Sequence, residues 1–269
     1  MQIFIKSQLP ALVITSVGQF SICNSAYEAH DWLAPDIIDG ADGFVLYDPG
    51  DYLLNRYSKV FKRCGYEVKT FDTGNLSQCN KYNPFKYVRD NKDIPKLVTA
   101  FIGGTGNYGY PGDIKFRAAE IALLSALFSY VANETLDEER NINSVNEMLM
   151  HMKRENGGWD YDYKHAVDFI FDDLRERDPY CYPVHQYEIF KATIGHQEHI
   201  VVDSCIWRLR PFTNDVVKEC FSTDELGLDS FSFDRKTALF VSLGMSTEFD
   251  FLISLLYTQL FDTLCIGSV

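Results

Sequence analysis

The stretch Thr15-Ser16-Val17-Gly18-Gln19-Phe20-Ser21-Ile22 lies where chemistry on phosphates would be placed, directly after the short β-branched run Leu12–Thr15. A loop that cradles phosphates needs glycines so that backbone N–H groups can wrap the oxygens, a Lys to neutralise them and a hydroxyl for Mg²⁺. Gly18 meets the first need, but Ser21 stands at the lysine position, Ile22 at the hydroxyl position and Phe20 at a glycine position. Taken by itself, the stretch reads as an ordinary strand-to-helix turn. A second group in a comparable place is Asp48, which closes the apolar run Phe44–Tyr47 ahead of Pro49-Gly50.

Other candidates are weaker. His196-Gln197-Glu198-His199 sets two imidazoles three residues apart, with Asp203 and Cys205 following. It lacks the paired ligands on both sides that mark a zinc site, so it reads as a solvated helix start and no metal is expected. Asp168, Asp172, Asp173 and Glu176 read as the wet face of a helix whose apolar face is Val167, Ile170, Phe171 and Leu174. Tyr and Trp suit docking faces. Behind Gly157-Gly158, the alternation of aromatics with acids makes Trp159, Tyr161 and Tyr163 the candidates for an exposed partner-docking segment. No GxSxG elbow occurs, and Gly103-Gly104-Thr105-Gly106 follows a helical pattern and not a strand, so it reads as a flexible connection and not as a dinucleotide loop.

The elements that must position these residues alternate along the chain. Leu12–Thr15 and Phe44–Tyr47 read as buried parallel strands; Leu53, Leu54, Tyr57, Val60 and Phe61 fall at helical spacing; Gly65 stands at a stop position, and residues 67–71 resume as a strand. From Pro84 to Phe221 the 3.6-residue period takes over, and five or six helices are expected, with residues 115–130 apolar around most of their circumference. After Ser222 the α/β pattern returns in residues 237–243 and 249–264, the latter opened by a capping-box spacing from Thr247 to Asp250. The order predicts an α/β domain of residues 1–83 and 222–269, with an all-α domain, residues 84–221, inserted into it.

Composition narrows the partners. The chain has 269 residues, 46% hydrophobic and 14% aromatic, and 25 Lys plus Arg against 38 Asp plus Glu give a net charge of −13. It is globular, and it is a poor candidate for gripping phosphate backbones, which takes clustered Lys and Arg. Seven cysteines without a CxxC pair fit a reducing compartment, and no apolar stretch is long enough to span a membrane.

Several strings together resemble the TraG/TraD-type (VirD-like) coupling proteins of conjugative type IV secretion. They are FVLYDP (44–49), GYEVKTFD (65–72), YNPFKYVRD (82–90), QYEIF (186–190), RLRPF (208–212), STDELGLDSF (222–231), DRKTALFVSL (234–243) and FLISLLYTQLFDTLC (251–265). The resemblance implies a RecA-like P-loop NTPase-type sheet, here partial, carrying an inserted all-α domain. It places Ser16, Gly18, Ser21, Ile22 and Asp48 at a degenerate nucleotide site, without a lysine and with the family's Asp-Pro-Lys-Gly-Glu signature eroded to Asp48-Pro49-Gly50-Asp51-Tyr52. The chain stops at Val269, ahead of the strand that would carry an acidic Walker B residue, and without the family's membrane helices. What is implied is the middle of a coupling protein: a docking module for a relaxase or other secretion substrate, without catalytic residues and with no cofactor. One alternative is a motor subunit that binds ATP and Mg²⁺ only when another chain completes the site; another is a decayed product that merely folds. Further partners would be other coupling-protein or secretion-system subunits, at the inner face of a bacterial membrane from the cytoplasmic side. The sheet edge left where later strands should pair predicts self-association or poor solubility.

Overall fold

The computed structural model describes residues 12–15, 20–22, 43–48, 50–105, 114–153, 164–231, 236–244 and 249–266. The chain divides into two compact units, one formed by Met1–Tyr82 with Asp224–Val269 and the other by Asn83–Thr223. Among the described residues, no helix is long and apolar enough to cross a membrane, and Cys64, Cys79, Cys181, Cys205 and Cys220 are not joined in disulfides.

The first unit is mixed α/β. Its strands are β1 (Leu12–Thr15), β2 (Phe20–Ile22), β3 (Gly43–Tyr47), β4 (Glu67–Asp72) and β5 (Thr237–Ser242), in the spatial order β2-β1-β3-β5-β4. β3, β5 and β4 are parallel. Every residue of β3 and β5 is buried, which is why both read in sequence as unbroken apolar runs and not as alternating ones. β1, expected to be parallel, instead runs antiparallel to β3 and pairs with β2 as a hairpin, Val13 opposite Ser21. A four-residue apolar run carries no direction; what sets it is the short return to β2.

Helix α1 (Tyr52–Arg63) links β3 to β4. It buries Leu53, Tyr57 and Phe61, one residue per turn. These join Phe44, Leu46, Tyr66, Ala238 and Phe240 in one core, with Phe61 edge-on to Phe44 at 5.1 Å, to Tyr66 at 5.2 Å and to Phe240 at 5.8 Å. Gly65, at φ +85°, ends the helix: its N–H donates to the Lys62 carbonyl and the Tyr66 N–H to the Phe61 carbonyl, the two bonds of a Schellman stop. On the outer strand β4, Asn80 does the work of a neighbouring strand. Its Oδ1 accepts the Thr70 N–H at 2.8 Å and its own N–H donates to the Thr70 carbonyl at 2.9 Å, so the chain itself covers part of an edge expected to seek a partner.

The second unit is helical: α2 (Asp93–Gly104), α3 (Ile114–Glu134), α4 (Ile142–Met152), α5 (Ala166–Arg177), α6 (Tyr182–Ile194), α7 (Glu198–Leu209) and α8 (Asp215–Cys220), seven helices among the described residues where five or six were expected. α3 is the centre and packs against α2, α4, α6 and α7. It buries Phe116, Ala119 and every residue from Ala122 to Ser129. Asn side chains open two of the helices: Asn141 Oδ1 accepts the Asn143 N–H at 2.9 Å and Asn214 Oδ1 the Val216 N–H at 2.9 Å. One charge lies in this apolar centre. Glu120 is 1% exposed and is met by Arg208 of α7, 2% exposed, at 3.0 Å.

Candidate functional site

Ligands of open α/β sheets bind outside the carboxyl ends of the parallel strands, and Asp48 lies there, immediately after β3. It is buried, and its carboxylate is already engaged: Oδ1 accepts the Leu53 N–H at 3.0 Å and Oδ2 the Leu54 N–H at 2.8 Å. Two of the four orphan donors that begin α1 are thereby satisfied by a residue from the preceding strand end. Burial pushes the Asp48 carboxyl above its ordinary value of 3.8; the Leu53 and Leu54 N–H groups oppose that shift and Asp51 adds to it. Ser21 and Ile22 lie in β2, paired with β1, and not at the head of a helix. The strand-to-helix turn read from the sequence is therefore a hairpin at those two positions, because the chain returns as a strand where a helix was expected. Ser16 and Gly18 fall outside the described residues.

A raised carboxyl pKa in the folded state means that the associated stability is present below pH 3.8 and is lost as pH rises through the folded value. Asp48→Ala is expected to cost about 0.5–2 kcal/mol, the usual loss for a helix-opening acceptor. The gap from the parent chain should be wider at pH 4 than at pH 7 in urea unfolding. A gap wider at pH 7 would show that the helix N–H groups outweigh burial.

At the same sheet end, two backbones cross. A Cβ on Gly244, just past β5, would lie 2.6 Å from Gly74 Cα, and one on Gly74, just past β4, 2.9 Å from Gly244 Cα. The Gly244 N–H donates to Thr73 Oγ1 at 3.0 Å, and the Thr73 N–H donates to the Ser242 carbonyl at 3.2 Å.

The helical unit holds a second polar centre that sequence reasoning distributed elsewhere. Asp168, assigned to a wet helix face, is buried, and Glu198, assigned to a solvated helix start, is 9% exposed. Both face His165, whose Nδ1 lies 2.7 Å from Asp168 Oδ2 and whose Nε2 lies against Glu198 Oε1. Lys191 Nζ bridges the same carboxylates, 2.7 Å from Asp168 Oδ1 and 2.7 Å from Glu198 Oε2. The Tyr187 hydroxyl donates to Asp168 Oδ1 at 2.9 Å. Burial alone would lower the imidazole pKa, but Asp168 and Glu198 overcome it and raise it to about 8. Desolvation works against ionisation of both acids, yet His165 and Lys191 hold each below its ordinary range. A cavity of about 510 Å³, lined by Lys164, Asp172, Arg175 and Glu188 among others, adjoins Asp168, Tyr187 and Lys191.

His165, Asp168 and Glu198 are the group among the described residues with the composition of a metal shell. The lysine ammonium already bridges their carboxylates, so the centre is a complete ion-pair tetrad and we assign no metal to it. His196 is exposed, and the Cys205 thiol is fully buried and pushed up by that burial. The signal that could have found His165 is its spacing: Asp168 Oδ2 accepts the His165 backbone N–H at 3.0 Å, three residues apart and ahead of an apolar run, one half of a capping box. Trp159, Tyr161 and Tyr163 fall outside the described residues.

Compared with curated proteins, the chain gives no match. The model of one family, described as type IV secretory system conjugative DNA transfer, matches residues 26–265, which is nearly the whole of the 269-residue chain. On that match, the chain belongs to the type IV secretory system conjugative DNA transfer family.

Proposed function

We propose that the chain acts in conjugative type IV secretion as a coupling-protein-like docking module, with a RecA-like partial sheet as scaffold and the helical unit as the surface for a relaxase or other secretion substrate. Binding and not ATP turnover is its work. The observation that carries the reading is the state of the sheet's carboxyl end: the Asp48 carboxylate is taken up by the first turn of α1, and Ser21 and Ile22 lie in a strand. A phosphate needs free N–H groups at a helix head, and here a carboxylate of the same chain already accepts them. The net charge of −13 favours a basic protein partner over DNA.

A thermal-shift titration with Mg-ATP tests this. A ligand at about 100 times its Kd adds about 2.7 kcal/mol, and a chain of this size moves roughly 2–4 °C per kcal/mol. No shift at millimolar nucleotide is expected. A rise of several degrees would replace the docking reading with that of a motor subunit that completes its site with another chain. In parallel, the chain is expected to retain a purified relaxase on a column, and a chain lacking residues 84–221 is expected to lose it. Unchanged retention by that deletion would sink the docking role of the helical unit.

A further inference from the structure

The His165 centre joins three helices through one ring. His165 stands immediately before α5 and contacts Asp168 in its first turn. Glu198 is the first residue of α7, and Lys191 and Tyr187 are on α6. Among the described residues these groups face the imidazole or its two carboxylates, and Asp172 of α5 acts on Tyr187 from the cavity side; from α4, which also packs against α5, the buried polar side chain is Asn146, which does not titrate. With the ring protonated, two positive charges, His165 and Lys191, balance two carboxylates. With the ring neutral, one nitrogen must present a lone pair to a carboxylate oxygen, and Lys191 alone remains for two acids.

The two acids are not held equally. Asp168 accepts from the His165 backbone N–H, the Tyr187 hydroxyl and Lys191 as well as facing the ring, so it stays in place whatever the ring does. Glu198 is held through its side chain by the ring and by Lys191, and Lys191 is half-exposed. A deprotonated ring keeps Asp168 and lets go of Glu198. We propose that this tetrad is a proton-operated latch: the His165 imidazolium ties the first turn of α5 to the first turn of α7, and loss of its proton unties them. The cavity beside Lys191 and Tyr187 gives solvent a route to the centre.

The latch engages fully below the ordinary histidine value of 6.5 and releases as pH rises through about 8. That shift limits the gain in local opening to roughly 30-fold, the ratio set by about one and a half pKa units. The test uses the full chain with labelled histidine. The His165 ring resonance is expected to titrate near pH 8 and, after correction for intrinsic exchange rates, amide protection at the start of α5 and of α7 to fall several-fold between pH 7 and pH 9.5. In His165→Asn, which keeps a good helix-opening residue, protection there should be the same at both pH values. In Glu198→Gln the His165 midpoint should drop by about one unit or more. A midpoint at or below 6.5, or protection in the parent chain that does not change between pH 7 and pH 9.5, would overturn the latch. So would an equal pH response in His165→Asn.

Discussion

Arg208→Ala should unfold the helical unit more readily by about 3–5 kcal/mol, the loss seen when one partner of a buried ion pair is removed and the other is left. The guanidinium is almost wholly buried and makes two kinds of contact. Nη2 donates to Glu120 Oε2 at 3.0 Å and Nε to Oε1 at 3.3 Å, while Nη1 donates to the Thr105 carbonyl at 2.8 Å and the Ile102 carbonyl at 3.3 Å. It therefore neutralises an acid on α3 and also satisfies carbonyls at the carboxyl end of α2, where a cation is favoured. Removing it leaves Glu120 in a core of Leu123, Leu124 and Leu127 with the Ser204 hydroxyl beside it and the charge of Arg117, on the same helix, acting on it without a direct ion pair among the described contacts. Arg208→Lys keeps the charge but not the fork and should fall between the parent and Arg208→Ala. The double variant Arg208→Met, Glu120→Leu should be more stable than Arg208→Ala, because no charge is left uncompensated. A loss below about 1 kcal/mol for Arg208→Ala in urea unfolding is the behaviour of an exposed pair and would reject this account. Any loss of partner binding in Arg208 variants is then a folding effect, so docking variants are better drawn from exposed side chains such as Trp207 or Tyr180, 54% and 94% exposed.

Legibility in the sequence followed how local each cause was. α1 could be read because its burial is one residue per turn and its stop is a single glycine, and α5 could be read because Val167, Phe171 and Leu174 repeat at helical spacing. The all-buried β3 and β5 stood out as apolar runs for the same reason. The direction of β1 was not legible, since pairing with β2 and β3 depends on what the chain does afterwards. Nor were the two polar centres. Glu120 meets Arg208 and His165 meets Glu198 across long separations, and periodicity assigns each acid separately to a face without saying what faces it. Asp168 shows the cost of that: a charged residue on an otherwise amphipathic helix is placed outside by pattern, and is inside because three partners converge on it. At the sheet end, Asp48 was legible as a residue of interest from its place after an apolar run, but its use as an acceptor for α1 depends on where the helix begins.

The glycines separate in the same way, and one of them should be the most sensitive position of the sheet unit. Gly244→Ala would set a Cβ 2.6 Å from Gly74 Cα and 2.8 Å from Gly74 N, both backbone atoms, which no rotamer change can clear. The two strand ends would have to separate, against the Gly244 N–H bond to Thr73 Oγ1 and the β4–β5 ladder. The expected loss is about 3 kcal/mol, the upper end for overpacking, or a fall of roughly 6–12 °C in melting temperature for a chain of this size. Gly74→Ala should cost less, since its Cβ would meet one backbone atom at 2.9 Å and then a side-chain oxygen at 3.2 Å. Gly103, on α2 in the other unit, is the control: a Cβ there meets nothing within 4 Å, so Gly103→Ala should stabilise by about 0.4–1 kcal/mol through the unfolded chain alone. If Gly244→Ala were as harmless as Gly103→Ala, the backbone crossing could not be what holds the carboxyl ends of β4 and β5 together. If it unfolds as expected, that end is fixed by contact of two main chains and not by side-chain packing.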